Sequence, residues 1–266
     1  GPAMKARLSS TPDRPVAAVI GSWDPLVPAH LLLFGKLRDH AARYSLCSLV
    51  IILYPPPHRL LHGGSDWVDY EHLDATIAAA LASGIDAAMV VNFKTRDVHA
   101  GAAAFFDVVA EHVQLRELWL GAQQSLGRGP DGSAETVLEL AKQRDFSVER
   151  LPAWPEARAG DQVIQLLQKG RLQPAIAFMG RYPAWPRPAS AALRLNWRPG
   201  RYLAASIEGP GCLPGADRFE AELVARASGS RVLEWPSRRV KWLALLAGPG
   251  DAAEAHSPPQ PLPARA

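Results

Sequence analysis

The sequence predicts an α/β chain, a doubly wound parallel sheet followed by a small antiparallel, β-barrel-like domain. Two patterns carry that prediction. Through residue 150, short apolar runs alternate with segments whose apolar residues recur about every 3.6 positions, as in βα units of a parallel sheet. From Leu193 to Leu246 the apolar residues recur at every second position, and Gly or Pro breaks the runs. That is the pattern of short antiparallel strands.

The elements follow in order. Val16-Ala-Ala-Val-Ile20 is β-branched and apolar without a helical period, so it reads as a buried strand ending at Gly21. Leu31, Leu32, Phe34 and Leu37 then mark a helix over 28–42, with Pro28 in the first turn, where its missing N–H costs nothing. The alternation continues through strand 46–54, helix 70–83, strand 86–91, helix 101–113, strand 116–121, helix 133–144 and strand 146–151. Residues 151–160 interrupt it. A helix over 161–170 follows, with Asp161 as its N-cap, then another from Pro174 to Met179. Residues 182–199 hold several prolines and two tryptophans and read as a linker or domain seam. Alternating runs over 201–207, 218–224, 231–235 and 240–246 form the second domain. The expected division is 14–182, 193–248 and an Ala/Pro-rich tail, 249–266, whose composition predicts disorder.

Composition narrows the function classes. A hydrophobic share of 48% is ordinary for a globular chain, and Gly1-Pro-Ala before Met4 reads as an expression scar. No run approaches the roughly 18 apolar residues that cross a bilayer. No basic segment precedes an apolar one at the start, so no membrane partner or secretion is expected. Cys47 and Cys212 are too few for a disulfide framework or a metal site, which points to a reducing, cytoplasmic setting. The net charge of +3 comes without a dense Lys/Arg stripe, so nucleic acid is not implied. His99 and His112 lack metal-ligand spacing, and Glu220 and Glu222 read as solvated on one side of a strand. No Ser-His-Asp or Cys-His constellation is present.

Ligands of doubly wound sheets lie beyond the strand carboxyl ends, here 21–30, 54–59, 92–97 and 121–129. The turn from strand to helix at 21–30 points backbone N–H groups and the His30 imidazole at whatever sits there, the usual place for a phosphate. The loop from Gly121 to Gly132 is glycine-rich and polar, which suits either a nucleotide-facing loop or a plain surface turn.

The segment Gly21-Ser-Trp23-Asp24-Pro-Leu-Val27-Pro-Ala-His30 resembles the first motif, G-x-F-D-G-x-H-x-G-H, of the bacterial bifunctional riboflavin kinase/FAD synthetases. Gly21, Asp24 and His30 match and Trp23 stands in for the Phe, while Pro25, Val27 and Ala29 depart from it. Five further segments resemble that family in order. Leu49 to Pro57 resembles the strand and F-x-P-H-P flavin turn. Gly84 to Phe93 resembles a second strand. Leu118-Trp-Leu-Gly121 leads to a V-G-x-D-F-R-F-G site, where Gly121 and Gly127 match but Gln123, Gln124 and Ser125 do not. Leu167 to Gly170 and Ala175 to Arg181 resemble the end of the family's first domain. Pro199-Gly200-Arg-Tyr202 is similar to a strand start of its kinase module, although the G-x-x-G-x-P-T-A-N stretch is absent.

The resemblance implies an HxGH-type nucleotidyltransferase fold, a flavin or nucleotide ligand, and FMN/FAD or ATP with Mg²⁺ as the molecules handled. By the same resemblance His30 is the catalytic candidate. Gly21, Trp23, Asp24, His30, Tyr54, Pro57, Gly121, Gly127 and Arg158 are the candidate binding residues, and no metal ligand is assigned. Trp23 or Tyr54 would stack on a flavin, although a tryptophan in such an Ala/Pro-rich chain more often packs a core or seam. His58, Arg59 and His62 form a small basic cluster after the proline turn. At the family's S-S-T-x-x-R position stands Ala159-Gly-Asp161-Gln-Val-Ile164, with neither hydroxyl nor arginine, although Arg158 lies beside it. Three functions accord with these residues. One is an FAD-synthetase-like chain that has lost most phosphate-handling side chains but keeps a cleft, another an active but atypical FMN adenylyltransferase, and the third a non-catalytic scaffold.

Overall fold

Strand β2 (Val16–Gly21) is buried along five of its six residues, because a parallel strand is covered on both faces. The computed structural model describes residues 4–56, 60, 69–121, 124, 126, 132–152 and 159–251, without the side chain of Val98. These fall into two compact units, one from described residues within 1–23, 30–67 and 80–155, the other from those within 24–29, 68–79 and 156–266.

The first unit is a mixed, mostly parallel six-stranded sheet. Its strands are β1 (Lys5–Leu8), β2, β3 (Cys47–Tyr54), β4 (Ala87–Asn92), β5 (Leu115–Leu120) and β6 (Ser147–Arg150), in the spatial order β1-β4-β3-β2-β5-β6. β2 pairs in parallel with β3 on one side and β5 on the other, so the winding reverses at β2. That reversal makes the gap between the carboxyl ends of β2 and β5 the topological switch point of a doubly wound sheet. Along the chain, helices α1 (Pro28–Arg43), α2 (Leu73–Ala82), α3 (Gly101–Ala110) and α4 (Ala134–Gln143) fall between successive strands, and residues 73–79 of α2 count with the second unit. Ser133 caps α4 by accepting from the Thr136 N–H at 3.2 Å. The core draws Ile20, Leu49, Ile51, Met89, Phe105, Phe106 and Leu118 into one cluster.

β1 departs from the expected all-parallel sheet. It pairs antiparallel with β4, Lys5 opposite Asn92 and Leu8 opposite Met89. Its four residues alternate exposed and half-buried, as on an edge strand, so they carry no apolar run to betray them. At the other end of β3, Ser48 and Asp86 lock two strand starts together. The Ser48 N–H and hydroxyl both donate to one Asp86 oxygen, and the Asp86 N–H donates back to the Ser48 hydroxyl.

The second unit carries helices α5 (Ala159–Gln168) and α6 (Leu172–Met179) and an antiparallel six-stranded sheet. The strands are β7 (Ala184–Pro186), β8 (Ala192–Arg194), β9 (Gly200–Ile207), β10 (Arg218–Ala225), β11 (Arg231–Glu234) and β12 (Trp242–Ala247), in the order β7-β12-β9-β10-β11-β8. Residues 182–199 are therefore not a linker. They supply β7 and β8, the two edges of this sheet, where proline is tolerated because no second neighbour needs its N–H. Both tryptophans of that stretch are core residues. Trp185 and Trp197 are buried with ring centroids 5.4 Å apart, and the Tyr202 hydroxyl beside Trp197 donates to the Arg198 carbonyl at 2.6 Å. Asp161 lies inside the first turn of α5 rather than capping it, because the helix starts two residues earlier. Gly180 ends α6 in the left-handed region at φ 71°, which a glycine adopts without a Cβ clash.

Candidate functional site

Four parallel strands end side by side at the carboxyl edge of the first sheet: β2 at Gly21, β3 at Tyr54, β4 at Asn92 and β5 at Leu120. Gly21 has no room for a side chain, since a Cβ there would stand 2.7 Å from the Trp23 ring. Trp23 is itself buried. Its indole Nε1 donates to the Ile51 carbonyl at 3.0 Å, and its ring meets His30 and Phe34 edge-on at centroid distances of 5.2 and 4.9 Å. The indole thus ties the end of β2 to β3 and orients the imidazole of His30 in the first turn of α1. His30 stays half-buried, and Tyr54 at the end of β3 is half-buried as well.

The switch point is closed by a side chain. Gln124 Oε1 accepts from the Gly121 N–H at 3.1 Å, and its Nε2 donates to the Ile20 carbonyl at 3.0 Å. One amide therefore satisfies the last exposed groups of β5 and β2 together. Gly121 itself is half-buried, with the Gln124 side chain 3.7 Å from where its Cβ would be. Gly21, Trp23, His30, Tyr54 and Gly121 thus sit in the first unit, on or next to the carboxyl edge that the topology defines.

Asp24 belongs to the second unit, where its carboxylate accepts from the backbone N–H groups of Tyr70 and Glu71 at 3.1 and 3.0 Å. Glu71 continues this network. Its carboxylate, 1% exposed, receives both Nε and Nη2 of Arg181, the first at 2.6 Å, while the guanidinium also donates to the carbonyls of Met179 and Leu26 at 3.0 and 2.5 Å. Arg181 therefore clamps loop 24–29 to loop 69–71 through a fork of donors that suits a carboxylate. Val27, at the position of the first motif histidine, is fully buried among Val163, Leu167, Leu172 and Met179. Pro57, Gly127 and Arg158, with His58, Arg59 and His62, lie outside the described residues.

No sequence pattern points to the Gln124 bridge, the Asp24 contacts or the Glu71–Arg181 clamp. The one available signal was a polar residue at the end of a strand, which does not say which groups it satisfies. His99 and His112 are exposed, as are Glu220 and Glu222. Among the described residues no group of three or more His, Cys, Asp and Glu could hold a metal ion. No helix among them is long and apolar enough to cross a membrane.

Comparison with known proteins supplies the context for this geometry. No curated protein matches the chain. Among solved structures it is similar to the crystal structure of a macrolide-efflux protein from Streptococcus pneumoniae, with a TM-score of 0.62 and 14% identity, over 91% of this chain and 86% of that one. At that identity the likeness is one of fold. The family model for FAD synthetase matches residues 9–163, more than half of the chain and the whole of the first sheet beyond β1. That match spans the parallel-rich α/β unit wound about β2, and the chain belongs to the FAD synthetase family.

Proposed function

We propose that this chain is an FAD-synthetase-like protein that keeps a flavin or adenine-nucleotide cleft at the carboxyl edge of its first sheet and has lost adenylyl transfer. The observation that carries the reading is the burial of Val27. Adenylyl transfer needs little more from the protein than alignment of the phosphates and donors for the charge on the departing pyrophosphate. The family's motif places a histidine at position 27. Here a side chain without a donor is packed into an apolar cluster at 0% exposure. One missing donor of this kind costs about 2.7–4 kcal/mol of barrier, or about 10²–10³ in rate.

Asp161 in the first turn of α5 adds a negative charge at the family's other phosphate position. What remains is the framework: Gly21 under Trp23, the half-buried His30 and Tyr54, and Gly121. Gly21, Trp23, His30, Tyr54 and Gly121 of the first unit are accordingly proposed as ligand contacts rather than as a catalytic set. His30 is the only one of them able to carry a proton to a phosphate near neutral pH. A divalent cation would arrive on the nucleotide's own phosphates.

Turnover tests this directly. Purified protein incubated with FMN, ATP and Mg²⁺ is expected to form no FAD above a no-protein control. With riboflavin in place of FMN it is expected to form no FMN, since the P-T-A-N stretch is absent before Pro199. Clear FAD formation that His30→Ala abolishes would make the chain an active adenylyltransferase instead.

A further inference from the structure

The first unit carries a pocket of about 330 Å³ on the face of its sheet, between α1 and the strands β5 and β6. Its walls combine charge with apolar surface. Glu117, in the middle of β5, has both carboxylate oxygens oriented: His40 Nε2 lies 2.7 Å from Oε2, and the Trp119 indole donates to Oε1 at 3.1 Å. The His40 and Trp119 rings meet at 5.3 Å, so the imidazole, the indole and the carboxylate hold one another in place. Glu117 is only 17% exposed, and the surface it does show faces the pocket. Glu149 stands opposite Trp119 in the β5–β6 register and is exposed, adding a second carboxylate beside the same indole. Leu33, Leu151 and Pro152 complete the lining with apolar surface.

We propose that this pocket binds a small organic ammonium ion carrying an apolar body. A carboxylate accepts through lone pairs beyond the one that each oxygen already uses, so Glu117 can take a further donor without losing His40 or Trp119. Two carboxylates flanking an indole form a wall that attracts a cation through charge and through the ring's quadrupole. The apolar body then lies against Leu33, Leu151 and Pro152, and the volume limits it to about the size of one ring with a short tail. Lys36, exposed on the same lining, is the opposing charge, and the test below separates its pull on an anion from that of the two carboxylates on a cation. Among the described lining residues, the carboxylates of Glu117 and Glu149 stand against the one ammonium of Lys36, beside the His40 imidazole.

Calorimetric titration at neutral pH and low salt, with three probes of the same shape, separates the possibilities. Phenethylamine is expected to bind at least about tenfold more tightly than phenethyl alcohol or phenylacetate, which differ from it mainly in charge. Glu149→Gln, at an exposed strand position, is expected to weaken phenethylamine about fivefold while leaving the unfolding temperature unchanged. Equal binding of the three probes would show a merely greasy hollow and overturn the proposal. A preference for phenylacetate would give the pocket to Lys36 and overturn it too. So would an absence of binding up to about 10 mM, or an affinity that Glu149→Gln leaves untouched.

Discussion

His72 shows how one side chain in the second unit sets a pH dependence. It stands immediately before α2, where its Nδ1 accepts the Asp74 N–H at 3.1 Å and its ring meets Trp242 edge-on at 5.7 Å. Burial holds its pKa below the ordinary 6.5, and the Asp74 carboxylate only partly opposes that shift. The sign follows from linkage. A group with a depressed pKa in the fold binds protons more readily unfolded, so stability is full above 6.5 and falls as the pH drops below it. Protonation also removes the acceptor that caps the first turn of α2. Thermal unfolding of His72→Asn, whose side chain can still accept, is expected to vary less between pH 7 and 5 than that of the parent. An unchanged slope would assign the acid sensitivity to other groups. Gln124 makes the complementary point. It was visible in the sequence only as a departure from a family pattern, yet its amide bridges Ile20 and Gly121 across the switch point.

At the scale of elements, the Glu71–Arg181 pair is the firmest link within the second unit. A carboxylate 1% exposed is held by a guanidinium that also serves two carbonyls. Removing one partner of such a pair leaves a buried charge and costs about 3–5 kcal/mol, whereas replacing both with apolar residues is often neutral. Glu71→Gln is therefore expected to lower urea stability by about 3 kcal/mol, and Glu71→Leu combined with Arg181→Met is expected to recover most of it. A loss below about 1 kcal/mol for the single variant would mean that water already serves Arg181.

This clamp also marks the limit of what the chain's text reveals. The parallel strands were legible because a strand buried on both faces is a continuous apolar run, as Leu49 to Leu53 shows. β10 was legible because its exposed Glu220 and Glu222 alternate with buried Ala221 and Leu223. The edge strands were not. β1, β7 and β8 have three or four residues each, and their identity comes from the partner they pair with rather than from their own pattern. The same holds for the site. Gly21 and His30 could be placed from the strand-to-helix turn, but the contacts of Asp24 with Tyr70, of Gln124 with Ile20 and of Glu71 with Arg181 join residues 46 to 110 positions apart, and no local pattern encodes those.

For the whole molecule, the proposed function places a ligand at the carboxyl edge of a doubly wound sheet whose switch point a glutamine bridges. A helix begins at Pro28, seven residues after β2 ends, and the free N–H groups of a helix start favour an anion. Removing the bridge frees one N–H on Gly121 and one carbonyl on Ile20 at the place where such sheets bind nucleotides. Calorimetric titration of the parent protein and of Gln124→Ala with FMN, FAD, ATP and AMP is therefore the most direct measurement. At least one of the four is expected to bind the parent, and the adenine nucleotides to bind Gln124→Ala about three- to tenfold more tightly, the worth of one or two hydrogen bonds. Binding of none of them to either protein, at about millimolar ligand, would contradict it and leave the fold serving as a scaffold.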